Sequence, residues 1–276
     1  MLKAVLSCAV VALVAGQSMA SIPASDNADN AAYTVPGNWA NGSNGGFGWG
    51  QWVFNTFVPT TGSAGPFLGG AANTDLQDVK SPNHAWSSFA NGAGSQAFAA
   101  YRRLQGDTFN TANLVNGQTV AIAVEHGDIQ NGGFAGVGFG APSFGVASPY
   151  SAGLSGTANF QALVGFFGGG TNYELRDAAG TVTTTIPFSN RGLLVEFTLL
   201  NTNTGDYTVR LTRIDTPSIT QTISGRQVNG GIDAIGLYNY DTEFADVHFN
   251  NFSVIPAPGA AALLGLGGLL AARRRR

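Results

Sequence analysis

The chain has 276 residues, of which 44% are hydrophobic and 11% aromatic, enough apolar side chain to bury a core and to exclude a highly charged disordered chain. Only 11% of the residues are charged, glycine fills 39 positions, and lysine occurs only at Lys3 and Lys80, which excludes a basic nucleic-acid binder. The formal net charge is −3.

The chain begins with a short positive stretch, Met1-Leu2-Lys3, followed by the almost wholly apolar run Ala4 to Ala15. Ser18-Met19-Ala20 then has the small-x-small pattern of a cleavage site. Together these predict a secretory signal peptide over residues 1–20, cut between Ala20 and Ser21. The single cysteine, Cys8, falls inside it, too early in the apolar run to serve as a lipidation site. The mature chain is therefore free of cysteine, which excludes disulfides and Cys-based zinc sites even in an oxidising compartment. Residues 21–30 are polar and read as a linker.

From 31 to 254 there are no charge runs and no heptads, and hydrophobic side chains alternate with period two, the signature of strands. Val120, Ile122 and Val124 form one stripe, after the turn Asn116-Gly117. Val182, Thr184 and Ile186 follow the turn Asp177 to Gly180. Leu193, Val195, Phe197 and Leu199 face one way, and Tyr207, Val209 and Leu211 repeat the pattern across the hairpin loop Asn201 to Gly205. Ile235 and Leu237, then Val247 and Phe249, predict the last two strands. Phe252 and Val254 stay in phase only if a bulge occurs near Asn250-Asn251. The whole reads as one antiparallel β-sandwich of about ten to fourteen strands, undivided by any Pro/Ser linker. Phe47-Gly48-Trp49-Gly50 and Gly136-Val137-Gly138-Phe139-Gly140 put glycine on one strand face, the mark of a close backbone or ligand approach.

The chain ends with Ile255-Pro256-Ala257-Pro258, a run of Gly, Ala and Leu over 259–272, and Arg273, Arg274, Arg275 and Arg276. A helix from Pro258 to Ala272 would be about 22 Å long at 1.5 Å per residue, short of the roughly 30 Å hydrocarbon core. The arginines would hold its end on the cytoplasmic side, leaving the preceding domain outside. This tail resembles the PEP-CTERM sorting signal, in a Pro-Ala-Pro variant with Ala257 where that family usually has Glu. The resemblance implies recognition by an exosortase-type membrane protease and the secretion machinery, transient anchoring in the membrane, removal of the tail, and residence at the cell surface or in the extracellular matrix. A plain membrane anchor is the alternative. With both ends removed, eight basic and sixteen acidic residues remain, so the exported domain carries a net charge of −8.

The middle of the chain resembles PEP-CTERM proteins with a concanavalin A-like or laminin-G-like jelly roll. The matching stretches are Gly46 to Trp49, Ala100-Tyr101-Arg102, Asn116 to Thr119, Gly169 to Tyr173, and Asp246 to Asn251. That resemblance implies a jelly-roll sandwich in a fold group that includes sugar-binding lectins and glycan-cleaving enzymes.

Catalytic signals are weak. Asp241 and Glu243 have the i, i+2 spacing of two carboxylates on one strand face, but their segment reads as a loop. Glu125 and Asp128 point to opposite faces of a continuous strand. His84, His126 and His248 are scattered and read as surface or half-buried residues. No catalytic residue is assigned. Calcium is the metal predicted, because Asp241, Glu243, Asp246 and Asn250 gather oxygen ligands near the end of the domain. For a glycan, Trp49 and Trp52 are the candidates. Their odd spacing would place one of them at the surface of a regular strand, where its ring could stack on a sugar. The function predicted is structural or weak binding of extracellular polysaccharide; the alternatives are a glycan-active enzyme or an adhesion module.

Overall fold

The computed structural model describes residues 23–34, 39–58, 61–80, 82–92, 96–105, 113–140, 160–243 and 245–257. Fifteen strands and one short helix, α1 (Ala31–Thr34), lie among them. The strands are β1 (Ala24–Asp26), β2 (Val53–Phe57), β3 (Ser63–Gly69), β4 (Ala85–Asn91), β5 (Ala97–Arg103), β6 (Thr119–His126), β7 (Phe134–Phe139), β8 (Ala162–Phe167), β9 (Asn172–Asp177), β10 (Gly180–Pro187), β11 (Leu193–Asn201), β12 (Asp206–Arg213), β13 (Thr220–Gln227), β14 (Ala234–Tyr240) and β15 (Val247–Ile255).

They form two antiparallel sheets. One runs β13-β12-β11-β6-β15-β4-β3, with β1 added beside β15, and the other runs β10-β9-β8-β7-β14-β5-β2. The chain crosses between sheets repeatedly, so the order is that of an antiparallel jelly-roll sandwich. This is the all-β class that the alternating pattern predicts.

The core follows the pleat. On β11, Leu193, Val195, Phe197 and Leu199 are fully buried, while Leu194, Glu196 and Thr198 are half-buried. Phe197 stacks against Phe139 of the opposite sheet at 4.5 Å and against Tyr207 of its own sheet at 4.7 Å. Burying each such ring stabilises the fold by about 1.5–3 kcal/mol.

The bulge in β15 is present. Its register against β6 shifts between Asn250 and Ser253, and Asn251 takes a left-handed φ of 58°. The kink changes the neighbour on the other edge: β4 pairs with Val247 to Phe249, and β1 pairs with Phe252 to Val254. Residues 21–30 are thus not simply a linker. Ala24 and Asp26 lie in a strand, and Ala28 is fully buried with its N–H donated to Asn250 Oδ1 at 2.9 Å. Of its polar side chains, Asp26 is buried and used internally, while Asn27 and Asn30 accept local N–H groups at the surface.

A buried ion pair fastens this segment. Asp26 and Arg102 side chains are both fully inaccessible and directly paired. The Arg102 guanidinium also donates to Asn44 Oδ1 at 2.6 Å, to the Gly45 carbonyl at 3.0 Å and to Tyr33 Oη at 3.1 Å, while its Nε donates to the Gly50 carbonyl at 2.8 Å.

Candidate functional site

The tryptophans predicted to offer a sugar-stacking face do not do so. Trp49 and Trp52 are 1% and 0% exposed, and both lie beneath the Arg102 guanidinium, 5.9 and 5.2 Å from it. Odd spacing does not separate them because residues 46–50 do not form a regular strand. Gly46 and Gly48 have positive φ, Trp49 makes only an isolated bridge to Leu104, and β2 begins at Val53. A Cβ on Gly48 would press into Ala24 and the Pro23 carbonyl, so glycine here makes room for β1.

The second glycine-rich stretch is β7. Val137 and Phe139 enter the core, and Gly136 and Gly138 lie on the outer face of the seven-stranded sheet. Strand pairing fixes what shares that face. One row runs Val53, Tyr101, Gly236, Gly138, Leu163, Arg176, and the next runs Asn55, Ala99, Tyr238, Gly136, Gly165, Glu174. A third runs Phe57, Ala97, Tyr240, Phe134, Phe167. The glycines are filled from above: a Cβ on Gly138 or Gly236 would collide with the ring of Phe160, and one on Gly165 with the ring of Phe134. Over β7 and β8 this makes an apolar satellite core.

Over β2, β5 and β14 the same face carries larger rings. Phe57, Tyr101 and Tyr240 are half-buried, with Phe57 and Tyr240 packed over a floor that includes Ala97 and Ala99. Tyr240 stacks nearly parallel to Tyr238, the planes 13° apart. Half-buried Asn55 and the Arg103–Asp233 ion pair supply polar groups, with Arg103 lying 5.9 Å over the Tyr101 ring. Glu174 is the one carboxylate in the three rows, and Arg176 holds it with bonds of 3.0 and 2.6 Å.

The predicted calcium ligands are not brought together. Asn250 is used internally: its Oδ1 accepts from Ala28 and Asn251, and its Nδ2 donates to the carbonyls of Val79 and His84 at 3.0 and 2.7 Å. Asp241 and Glu243 sit at turn positions with φ of 48° and 56°, and among the described residues they are not in the His and carboxylate group close enough to share an ion. Asp246 does, with partners the sequence reading left out. Its carboxylate, that of Asp75 and the imidazole of His248 bring ligand atoms within 4.8 Å of one another.

That cluster lies on the outer face of the eight-stranded sheet. Val247 and Phe249 point into the core, so His248 points out, between Ser87 of β4 and Glu125 of β6. The β3–β4 connection covers it, packing Leu76 and Val79 onto Ala85 and Ala123. Glu125 fastens the cover, its carboxylate accepting the N–H groups of Gln77, Asp78 and Val79 at 2.9 Å each. Burial raises the Glu125 carboxyl above its ordinary pKa, and these three bonds oppose it. Glu125 is therefore engaged in structure rather than paired with Asp128. Asp246 is raised by burial and by the neighbouring Asp75 charge. Burial also disfavours the Asp75 charge, but His248 outweighs it and holds that carboxyl below its usual value. His248 is fully buried, as is His126, so neither is the surface or half-buried residue the sequence suggests.

Pro256 directly follows β15. Ala20, Ser21, Pro258 and Arg273 to Arg276 lie outside the described residues. Among those described, no helix is long and apolar enough to cross a membrane.

No family model matches the chain, and no curated protein matches it. Solved structures do show likeness. The globular domain of T. cruzi calreticulin is 9% identical over 74% of this chain and 83% of that one, with a TM-score of 0.45. Lectin II from Ulex europaeus is 12% identical over 74% and 97%, with a TM-score of 0.41. An endo-β-1,4-glucuronan lyase from the fungus Trichoderma reesei is 8% identical over 73% and 93%, with a TM-score of 0.44.

Proposed function

We propose that the protein is an exported β-sandwich of the cell surface or extracellular matrix that binds polysaccharide weakly through the outer face of β2, β5 and β14. The observation that carries this is the set of half-buried rings, Phe57, Tyr101 and Tyr240, on one sheet face beside the polar groups of Asn55 and Arg103. Aromatic rings and a few placed polar groups are what a glycan needs: apolar faces for its C–H groups and hydrogen-bonding partners for its hydroxyls. Binding is favoured over cleavage because hydrolysis needs two carboxylates about 5–9.5 Å apart. The carboxylates on this face are Glu174, already held by Arg176, and Asp233, already held by Arg103.

Export is supported by the two ends of the sequence. Processing by a signal peptidase and an exosortase-type protease, with transient membrane anchoring by the tail, is compatible with the sandwich. Its described strands run from Ala24 to Ile255, so cuts after Ala20 and beyond Pro256 remove none of them.

A glycan array probed with the full chain tests the binding. Tyr101→Ala and Tyr240→Ala are expected each to lower the signal about 5- to 150-fold, the loss of one stacking contact worth about 1–3 kcal/mol. Unchanged binding in both variants, with folding intact, overturns the assignment of this face. Mass spectrometry of the native protein tests the processing; a mature surface form that retains Arg273 to Arg276 overturns the exosortase step.

A further inference from the structure

Resting on the assignment of the outer face of β2, β5 and β14 as the glycan surface, we propose that this face takes neutral glycans and turns away those bearing uronate or sulfate, and that Asp233 sets the choice by holding Arg103.

An acidic sugar needs a cation in place of the water it gives up. Arginine suits it best, because the guanidinium fork matches two oxygens of a carboxylate or sulfate. Between Ser21 and Ile255 the chain has sixteen acidic residues and eight basic ones, seven arginines and Lys80. Each of these seven arginines lies in an ion pair with a carboxylate of the chain itself. Lys80 follows Val79 in the β3–β4 connection, which covers the other sheet.

Two of the paired arginines belong to the glycan side of the seven-stranded sheet. Arg176, in β9, is closed off. Its Nε and Nη2 donate to Glu174 Oε2 at 3.0 and 2.6 Å, and its guanidinium lies 5.9 and 5.0 Å over the rings of Phe134 and Phe167. Arg103 is the one beside the half-buried rings. It follows Tyr101 by two residues on β5, so both side chains leave the same face of the strand. Its guanidinium lies 5.9 Å over the Tyr101 ring, and its side chain is 39% exposed. A sugar stacked on Tyr101 meets this group.

Asp233 reaches it first. Asp233 immediately precedes β14, whose first residue, Ala234, pairs with Arg103. The Leu104 N–H donates to the Asp233 carbonyl at 2.7 Å, which fixes the main chain of Asp233 at the end of β5. Its carboxylate therefore faces Arg103 at a high effective concentration, which an incoming uronate or sulfate has to outcompete. The newcomer would also bring its charge next to Asp233 in a domain with twice as many acidic as basic residues. A neutral sugar meets neither obstacle. A hydroxyl both donates and accepts, and the ion pair offers carboxylate lone pairs and guanidinium N–H groups side by side. The pair thus serves hydroxyls and opposes anions, so selectivity comes from a repulsive element as well as an attractive one.

The test is a glycan array of neutral polysaccharides and of uronate and sulfated ones, probed with the full chain at low and physiological ionic strength. Binding is read as the part lost in Tyr101→Ala, which leaves aside any polyanion held by Arg273 to Arg276. Neutral glycans are expected to bind at least about tenfold more strongly than acidic ones, with little dependence on salt. Asp233→Asn frees Arg103 and should raise binding of acidic glycans by about 10- to 150-fold, in a manner that weakens as salt rises, while neutral binding changes by less than about threefold. If that variant does not fold, the wild-type preference and its salt dependence still decide. Tyr101-dependent binding that favours acidic glycans overturns the neutral class and leaves the assignment of the face standing. Unchanged acidic binding in folded Asp233→Asn overturns the role of Asp233. Absence of any Tyr101-dependent binding overturns the face itself, and the choice of glycan with it.

Discussion

His126 makes stability depend on pH in a window that can be worked out in advance. Its ring stacks beside the Phe166–Phe188 pair, 5.7 and 5.4 Å from the two rings, with the edge of Tyr173 at 5.9 Å. Nδ1 lies 2.9 Å from the Gly127 carbonyl, which can only accept, so Nδ1 carries the proton. Nε2 has no partner. A second proton would place an unsolvated charge among aromatic rings. Burial accordingly drives the pKa down from 6.5 to about 4; the like charge of His248 adds to this, and the Gly127 bond and the Asp128 charge oppose it. The unfolded chain takes up a proton near pH 6.5 and the folded chain only near 4, so between these values the unfolded state binds more protons and stability rises with pH. The contribution is complete above the unfolded value and is lost as the pH falls through the folded one. At 1.36 kcal/mol per unit, the loss is about 3 kcal/mol. His126→Phe removes it. That variant gives up the bond to Gly127, costing about 1 kcal/mol at every pH, and keeps the ring in place. Urea unfolding of both proteins across the window is the assay, because the carboxyl groups common to both cancel in the difference. Wild-type and variant curves that run parallel would refute the reasoning.

Two further outcomes follow from the buried polar groups. Asp26→Ala leaves Arg102 charged and unpaired in the core and should cost about 3–5 kcal/mol, whereas the Asp26→Ala/Arg102→Met pair should cost less than the single change; a double variant as unstable as the single one in urea would contradict this. Glu125→Ala strips the acceptor from three backbone N–H groups, so hydrogen exchange at Gln77, Asp78 and Val79 should speed up at least about tenfold, corresponding to more than about 1.4 kcal/mol of lost local protection. Exchange as slow as in the wild type would show that the loop is held by its apolar contacts alone.

The pleat made much of the sandwich readable. Where one face of a strand is covered and the other is wet, as on β11 and β12, alternation appears directly in the residues. The bulge in β15 was legible for the same reason, because Phe252 and Val254 fall out of phase with Phe249 unless a residue is inserted. β7 and β14 carry only a weaker signal, an alternation of glycine with Val137 and Phe139 and the pair Ile235 and Leu237. Both their faces are covered, so six consecutive residues of each are buried and period two is blurred. β1 was hidden in another way. Its residues are polar or small, and it is a strand because the β15 bulge leaves an edge open there and because Arg102 needs a carboxylate.

The site was less legible than the fold because its residues are neighbours only through the sheet. Asp75 and His248 are far apart in sequence, and the register Ser87–His248–Glu125 across β4, β15 and β6 brings the ring beneath the loop that carries Asp75. Sequence crowding near the chain end picked out Asp246, which the fold places beside Asp75 and His248. It also gathered Asp241, Glu243 and Asn250, whose side chains share the composition but not the geometry. Asn250 shows why: an amide that accepts two N–H groups and donates to two carbonyls has no lone pair directed outward, whatever its position in a run of Asp and Asn. Proximity in sequence selects residues that make turns, whereas a metal selects lone pairs that converge. In this fold, cross-strand pairing rather than sequence proximity is what brings Asp75, Asp246 and His248 within 4.8 Å of one another.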